Sequence, residues 1–209
     1  MPAPITVVIP TLNAQDGLPA CLAALMEGLE AGLLRELVVT DGGSTDATLA
    51  VAEAAGARVV TGAAGRGGQL RRGVAKARGD WVLILHADTV LQPGWARVVS
   101  DVVTRGGQTA WYFRLAFDAT GVAPAWVAGW ANLRSRWFGL PYGDQGLLMC
   151  KARYDRVGGY RDIPLMEDVA MAHALRRDGG AARGLPVVAV TSAARYQRDG
   201  WLRRGTRNV

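Results

Sequence analysis

The chain has 209 residues, half of them apolar and a fifth charged, with a formal net charge of +6. That length supports one domain with a sizeable core, and no apolar run approaches the roughly 18 residues of a membrane span. The positive balance points to anionic partners such as nucleotide diphosphates, anionic lipid or nucleic acid.

The start "MPAPITVVIP" lacks a basic leader region and reads directly as a strand, so no signal peptide is expected. "ITVVIP" is a continuous β-branched run typical of a strand covered on both faces. Leu18, Cys21, Leu22, Leu25, Met26 and Leu29 then recur on one face of a helix. "LVVTD" (37–41) predicts a second strand. "GGSTDATLAVAEAAG" supplies a glycine turn, the cap candidates Ser44, Thr45 and Asp46, a helix and a stop at Gly56. "ARVVTG" is a third strand, "GRGGQLRRGVAKARG" a glycine loop opening a helix, and "WVLIL" a fourth strand.

The second half is less regular. "GWARVVSDVVTRG" predicts a helix, "QTAWYFRLAF" a strand, and "PAWVAGWANLRSRWFG" a helix; most tryptophans between Trp111 and Trp137 are expected to pack inside, with stacking on a sugar or contact with a lipid surface as the alternatives. "DQGLLMCKARYDRVGGY" predicts a strand then a helix, "MEDVAMAHALRRDGG" a helix, and "LPVVAVTS" a last strand. Cys21 and Cys150 fit no metal spacing and are expected to be reduced, packed thiols in a cytoplasmic protein. Five arginines (Arg195, Arg198, Arg203, Arg204, Arg207) crowd the final fifteen residues as a basic arm.

Strands alternating with helices mean βαβ units and a parallel sheet, with ligands beyond the carboxyl ends of the strands. Pro10 to Asn13, Asp41 to Ser44 and His86 to Thr89 fall on that rim.

The ordered set "VVIPTLN", "ELVVTDGGSTDAT", "GDWVLILHADT" and "VGGYRDIPLMEDVAMAHALRRDG" resembles family 2 glycosyltransferases of the GT-A fold, over about residues 5–190. The "HADT" and "YGDQG" forms resemble its short bacterial members. The resemblance implies an α/β fold with a Rossmann-like nucleotide-binding sheet, mostly parallel, and helices on both faces. One domain is expected over 1–209: a nucleotide-binding half (1–90), an acceptor-binding half (91–190) and the basic arm (191–209).

In similar enzymes an aspartate at Asp41 accepts a hydrogen bond from the nucleotide base, which suits an acceptor-only carboxylate; a turn or cap aspartate before Gly42 and Gly43 is the alternative. Pro10, Thr11, Leu12 and Asn13 would flank base and ribose. Backbone amides at the start of the helix after "GRGG" attract phosphate, and Arg66 is the nucleotide-facing candidate. His86-Ala87-Asp88 stands where the family has Asp-X-Asp. The resemblance makes Asp88 a ligand of Mg²⁺ or Mn²⁺ bridging the diphosphate, since such ions accept one or two carboxylates plus phosphate and water. His86 would contact ribose or metal; outside this context the pair reads as a strand-end histidine and a capping aspartate.

Glu167-Asp168 opens a helix, where Asp168 would be the general base for the acceptor hydroxyl; an acidic first turn also suits the helix dipole. Asp144 and Gln145 are acceptor-side candidates or a turn after Pro141. The tail "YQRDGWLRR" resembles a Gln-X-X-Arg-Trp motif with Gly200 in the arginine's place, which makes Trp201 another acceptor-side candidate. Together these imply an inverting, metal-dependent transferase using a UDP- rather than GDP-linked sugar and a hydroxyl acceptor, with a lipid-linked one considered. No nucleic-acid partner is expected; the inner face of the membrane is a candidate contact for the basic arm. The competing readings are an inactive nucleotide- or lipid-headgroup-binding module and a nucleotidyltransferase.

Overall fold

The computed structural model describes residues 3–199, with Arg195 and Asp199 described in their backbone alone. In chain order it runs β1 (Ile5–Thr11), α1 (Leu18–Glu30), β2 (Leu34–Asp41), α2 (Thr48–Ala54), β3 (Arg58–Thr61), α3 (Arg66–Ala75), β4 (Trp81–Ile84), β5 (Thr89–Leu91) and α4 (Trp95–Arg105). The second half adds β6 (Trp111–Phe117), α5 (Val122–Phe138), a 3₁₀ turn (Gly143–Gln145), β7 (Leu147–Cys150), α6 (Lys151–Arg156), α7 (Glu167–Arg177), β8 (Arg183–Thr191) and α8 (Ala194–Asp199).

The strands form one eight-stranded sheet in the order β3-β2-β1-β4-β7-β6-β8-β5. β1 pairs in parallel with both β2 and β4, and β2 with β3, as the βαβ pattern predicts. Among the described residues, four of the seven strand pairings are parallel, and the antiparallel ones involve the second half. β7 returns antiparallel to β4 and β6, and β5 is antiparallel to β8, leaving β6–β8 as the parallel pair there. The sheet is mixed because the chain between β6 and β7 reverses through α5 and the 3₁₀ turn.

Each central strand is buried on both faces. Val7 and Ile9 of β1 and Leu83 of β4 join Leu18, Cys21 and Trp95 in one core; Val8, Val82 and Ile84 join Leu70, Met171 and Leu175 in the other. A period of two with both sets apolar gives the unbroken apolar run seen in the sequence. Trp95, fully buried, donates its indole N–H to the Ala24 carbonyl at 3.0 Å, and the Glu27 carboxylate receives the N–H groups of Gly94 and Ala96, satisfying the start of α4. Cys21 and Cys150 are buried free thiols, and burial pushes Cys21 up to about 12.

The fold brings the carboxyl ends of β1 and β4 side by side, and β4 does not lead into a helix. The Thr89 N–H donates to the His86 carbonyl at 3.2 Å, closing a turn that feeds β5 directly. Asp88 therefore sits in a strand-to-strand turn, and the reading of it as a helix cap is excluded.

Candidate active site

Two open clefts lie along this rim. One, of about 560 Å³, is lined by Pro10–Ala14, Asp16, Gly65, Gln69 and Asp118 among others. The second, of about 400 Å³, is lined by Tyr142–Asp144, Pro164, Leu165, Glu167 and Asp168. Arg66, His86, Asp88 and Ser192 line both, forming their common wall. Each volume falls in the range of small-molecule sites.

Arg66, the first residue of α3, holds that wall together. Its Nε donates to Glu167 Oε1, its Nη1 contacts His86 Nε2 at 2.8 Å, and its Nη2 reaches Asp168 Oδ2 at 3.4 Å. Three sequence-predicted groups, His86 of the β4–β5 turn and Glu167 and Asp168 of α7, thus converge on the guanidinium that α3 supplies. Asp168 also receives the Gly143 N–H at 2.9 Å and the Val169 N–H at 2.8 Å, which fixes the carboxylate at the edge of the second cleft. Glu167 is buried beneath it. Met166, just before them, takes φ +65°, a left-handed conformation uncommon outside glycine, and so turns both acidic residues inward. Gly143 is required where it stands: a Cβ there would lie 2.5 Å from His86 Nε2.

Asp144 forms part of the second cleft's wall. Its Oδ1 is enclosed without a hydrogen-bond partner among the described residues. Burial pushes this carboxyl up to about 6; the Arg134 guanidinium opposes that rise and Asp168 reinforces it. Gln145 goes elsewhere. Fully buried, it accepts from Ser135 Oγ at 2.5 Å and donates to the Phe113 carbonyl at 3.3 Å, tying α5 to β6. Its amide is consumed by structure, so the acceptor-side expectation for Gln145 is corrected.

Asp41 is likewise enclosed. Its oxygens accept from Thr11 Oγ1, Ser44 Oγ, and the N–H groups of Gly43 and Ser44, at 2.5–2.9 Å. Burial alone would raise this carboxyl, but the hydrogen bonds from Ser44, Gly43 and Thr11 outweigh it and hold it below the usual range. Four donors match the roughly four lone-pair positions of a carboxylate, so in this conformation Asp41 organises the turn and does not face the cleft. Asn13, at φ +49°, ties the same loops together by accepting from the Thr45 N–H at 2.9 Å. Pro10, Thr11 and the exposed Leu12 line the first cleft beside it.

The glycines of "GRGG" serve packing more than phosphate. A Cβ on Gly67 would lie 2.0 Å from the Arg161 carbonyl oxygen, and one on Gly68 2.9 Å from Asp162 Oδ1. The segment before α7 therefore covers the start of α3, and Gly65 and Arg66 alone of this run face the cleft. Gln69, which the sequence did not single out, donates to the Thr11 and Thr40 carbonyls at 2.8 and 2.7 Å. It pins β1 and β2 where they separate, and an amide among glycines was the signal available. Trp201, Arg203, Arg204 and Arg207 lie outside the described residues.

Among the described residues no group of three or more His, Cys, Asp and Glu side chains converges as a metal cage. Asp88 offers a hard oxygen donor on the wall shared by both clefts, and ions such as Mg²⁺ take few carboxylates when phosphate and water complete the shell. The donor set fits an ion shared with a diphosphate and does not fit one held by protein alone.

The sequence model described as "Glycosyl transferase family 2" matches residues 6–144, from β1 through the turn that carries Asp144. The chain belongs to glycosyl transferase family 2. Within the family it is similar to glucosyl-3-phosphoglycerate synthase of Mycolicibacterium paratuberculosis, 38% identical over 95 residues, covering 41% of this chain and 29% of that protein. It is also similar to a PGL/p-HBAD biosynthesis glycosyltransferase of Mycobacterium bovis, 39% identical over 99 residues, 44% of this chain and 38% of that one. The matches thus span less than half the length of these curated relatives. Its GT-A fold is shared with glucosyl-3-phosphoglycerate synthase from Mycobacterium tuberculosis, solved with Mn²⁺, UDP and phosphoglyceric acid (TM-score 0.62, 22% identity, 90% of this chain and 69% of that one). It is shared as well with S. aureus TarS (TM-score 0.63, 16% identity, 90% and 57%).

Proposed function

We propose that the chain transfers a sugar from a nucleotide-activated donor, UDP-linked, to a hydroxyl acceptor with inversion. The observation that carries this is the pair of clefts sharing one wall, with Asp88 on the wall and the Asp168 carboxylate on the acceptor side. The structure of a related fold with UDP and Mn²⁺ bound supports the choice of donor.

In this reading the nucleotide lies along Pro10–Asn13. Asp88 would hold a divalent ion, which when bound neutralises the departing diphosphate. Asp168 takes the proton from the acceptor hydroxyl as its oxygen attacks the anomeric carbon. The bond from that carbon to the diphosphate oxygen breaks, and the nucleoside diphosphate leaves with the electron pair. Gly143 N–H and Arg66 keep the base aimed, and positioning of this kind accounts for much of such a rate. Asp144 is the competing base, because it lines the same cleft and its carboxyl is pushed up to about 6 by burial.

The test is UDP titration with and without Mn²⁺, followed by turnover of a nucleotide-sugar panel. Asp88→Ala is expected to abolish the metal-enhanced part of UDP binding. Asp168→Asn is expected to lose about a hundredfold or more in turnover while keeping UDP affinity. Full activity in Asp168→Asn with loss in Asp144→Asn would transfer the base role to Asp144. UDP binding without any turnover across the panel would favour a binding module.

A further inference from the structure

Helix α5 turns its large side chains away from the protein. Val122, Trp126, Trp130, Leu133 and Trp137 follow one another at steps of four, four, three and four, and all are exposed, Trp126 by 63% and Trp137 by 69%. That spacing is a single helix face. The opposite face consists of Pro124, Ala128, Ala131 and Ser135, buried against β6. Asn132 bonds both the N–H and the carbonyl of Leu115, at 2.8 and 3.0 Å, so the helix is pinned with its stripe outward. Contiguous apolar stripes of this size mark interaction surfaces.

We infer that this stripe docks the protein onto an anionic lipid bilayer. Tryptophan combines an apolar body with an N–H donor and favours the boundary between hydrocarbon and headgroups. Charge selects the anionic surface. Helix α5 contains no acidic residue and exposes Arg136 beside the stripe. The chain as a whole carries +6, and the ten residues after α8, "GWLRRGTRNV", add three arginines and another tryptophan with no acid. The described residues just ahead of that segment in the chain are anchored near the start of α5. Tyr196 of α8 packs edge-on against Phe117 at 4.9 Å, and the Ala193 N–H donates to Asp118 at 2.7 Å, both just ahead of α5. Basic residues next to buried aromatic side chains are the two signals that hold peripheral proteins on anionic membranes.

The docking has a direction. From its end at Gly139 the chain runs directly into Tyr142–Asp144, one wall of the second cleft, and Leu165 stands 70% exposed at that cleft. The stripe and the cleft are thus linked through one short segment. The inference stands apart from the reaction proposed above, because membrane docking is measured without donor or acceptor.

The experiment is co-sedimentation of the full chain with vesicles of phosphatidylcholine containing phosphatidylglycerol, against pure phosphatidylcholine. Binding to the anionic vesicles is expected, with a blue shift of tryptophan emission. In Trp126→Gln/Trp130→Gln/Trp137→Gln, bound fraction is expected to fall about tenfold or more with the melting temperature unchanged. Quenching of wild-type tryptophan emission by brominated lipid tests the same contact without a variant. An unbound wild type, equal binding by the triple variant, or equal binding to neutral vesicles overturns the inference. So does a dimer in sedimentation velocity that the triple variant dissolves in the absence of vesicle binding, since a second copy would then cover the stripe.

Discussion

The Arg66 guanidinium meets His86 Nε2 at 2.8 Å, and a guanidinium has protons to give but no lone pair. In this contact His86 Nε2 is therefore the acceptor, a role the tautomer protonated on Nδ1 permits. Where the family writes an aspartate, this chain has an imidazole that orients the site's arginine. His86→Ala is expected to cost about 1 kcal/mol in urea unfolding, the worth of such a hydrogen bond, and to leave the Mn²⁺ dependence of UDP binding intact. A lost metal requirement would make His86 a ligand instead. Nitrogen chemical shifts of the ring give the tautomer directly.

Gln145 is buried in a network with Ser135, Asn132 and the Phe113 carbonyl. β6 pairs with β7 only at Trp111, so side-chain amides occupy its edge beyond that point. Gln145→Ala strands those partners and is expected to destabilise the protein by about 2–3 kcal/mol, measured by chemical denaturation. The defect is expected to be the same with saturating nucleotide, because the residue serves the fold.

Gly67→Ala pushes a methyl group into the Arg161 carbonyl, so the loop before α7 has to move. The expected cost is about 1–3 kcal/mol, with turnover lowered further because Arg66 and Asp168 shift apart. Gly129→Ala is the control: a Cβ there meets nothing within 4 Å. It is expected to stabilise α5 by about 0.5–1 kcal/mol. Thermal melts of the two variants are the measurement.

Asp144 titrates near 6 in the folded protein against an ordinary 3.8. The native state then holds this proton more tightly than the unfolded chain. Stability from the protonated form is fully present below pH 4 and is lost as pH rises through about 6. Asp144→Asn is expected to raise the melting temperature at pH 8 by several degrees, the shift corresponding to at most about 3 kcal/mol. At pH 4 the difference is expected to vanish. Scans of protein free of nucleotide and divalent ion measure both.

The regular elements were readable because β-branched runs and helical periodicity report burial directly. β1, α1, β4 and α7 lie where the pattern put them. The three-residue β5 was not readable, since nothing in "TVL" distinguishes an edge strand from the loop that a strand end normally enters. Helix α5 was readable, but the burial expected for most of its tryptophans is not what the fold shows. Tryptophans at helical spacing look like a core face, yet Ala128, Ala131 and Ser135 allow the helix to approach β6 closely, and the large residues stay outside. Of the rim positions read from the sequence, Pro10 to Asn13, His86 and Asp88 line the first cleft, and Arg66 joins them there. The hydrogen bonding that encloses Asp41 and Gln145 was not legible, because it depends on which loops meet.

Arg66 and Glu167 stand 101 residues apart in the chain. During synthesis at about 5–20 residues per second, the arginine waits some 5–20 s for the carboxylates that will hold it. In that interval Arg66 stands without Glu167 and Asp168, and Asp88 is the carboxylate that shares its wall. Arrival of α7 therefore completes a wall that α3 and the β4–β5 turn only begin.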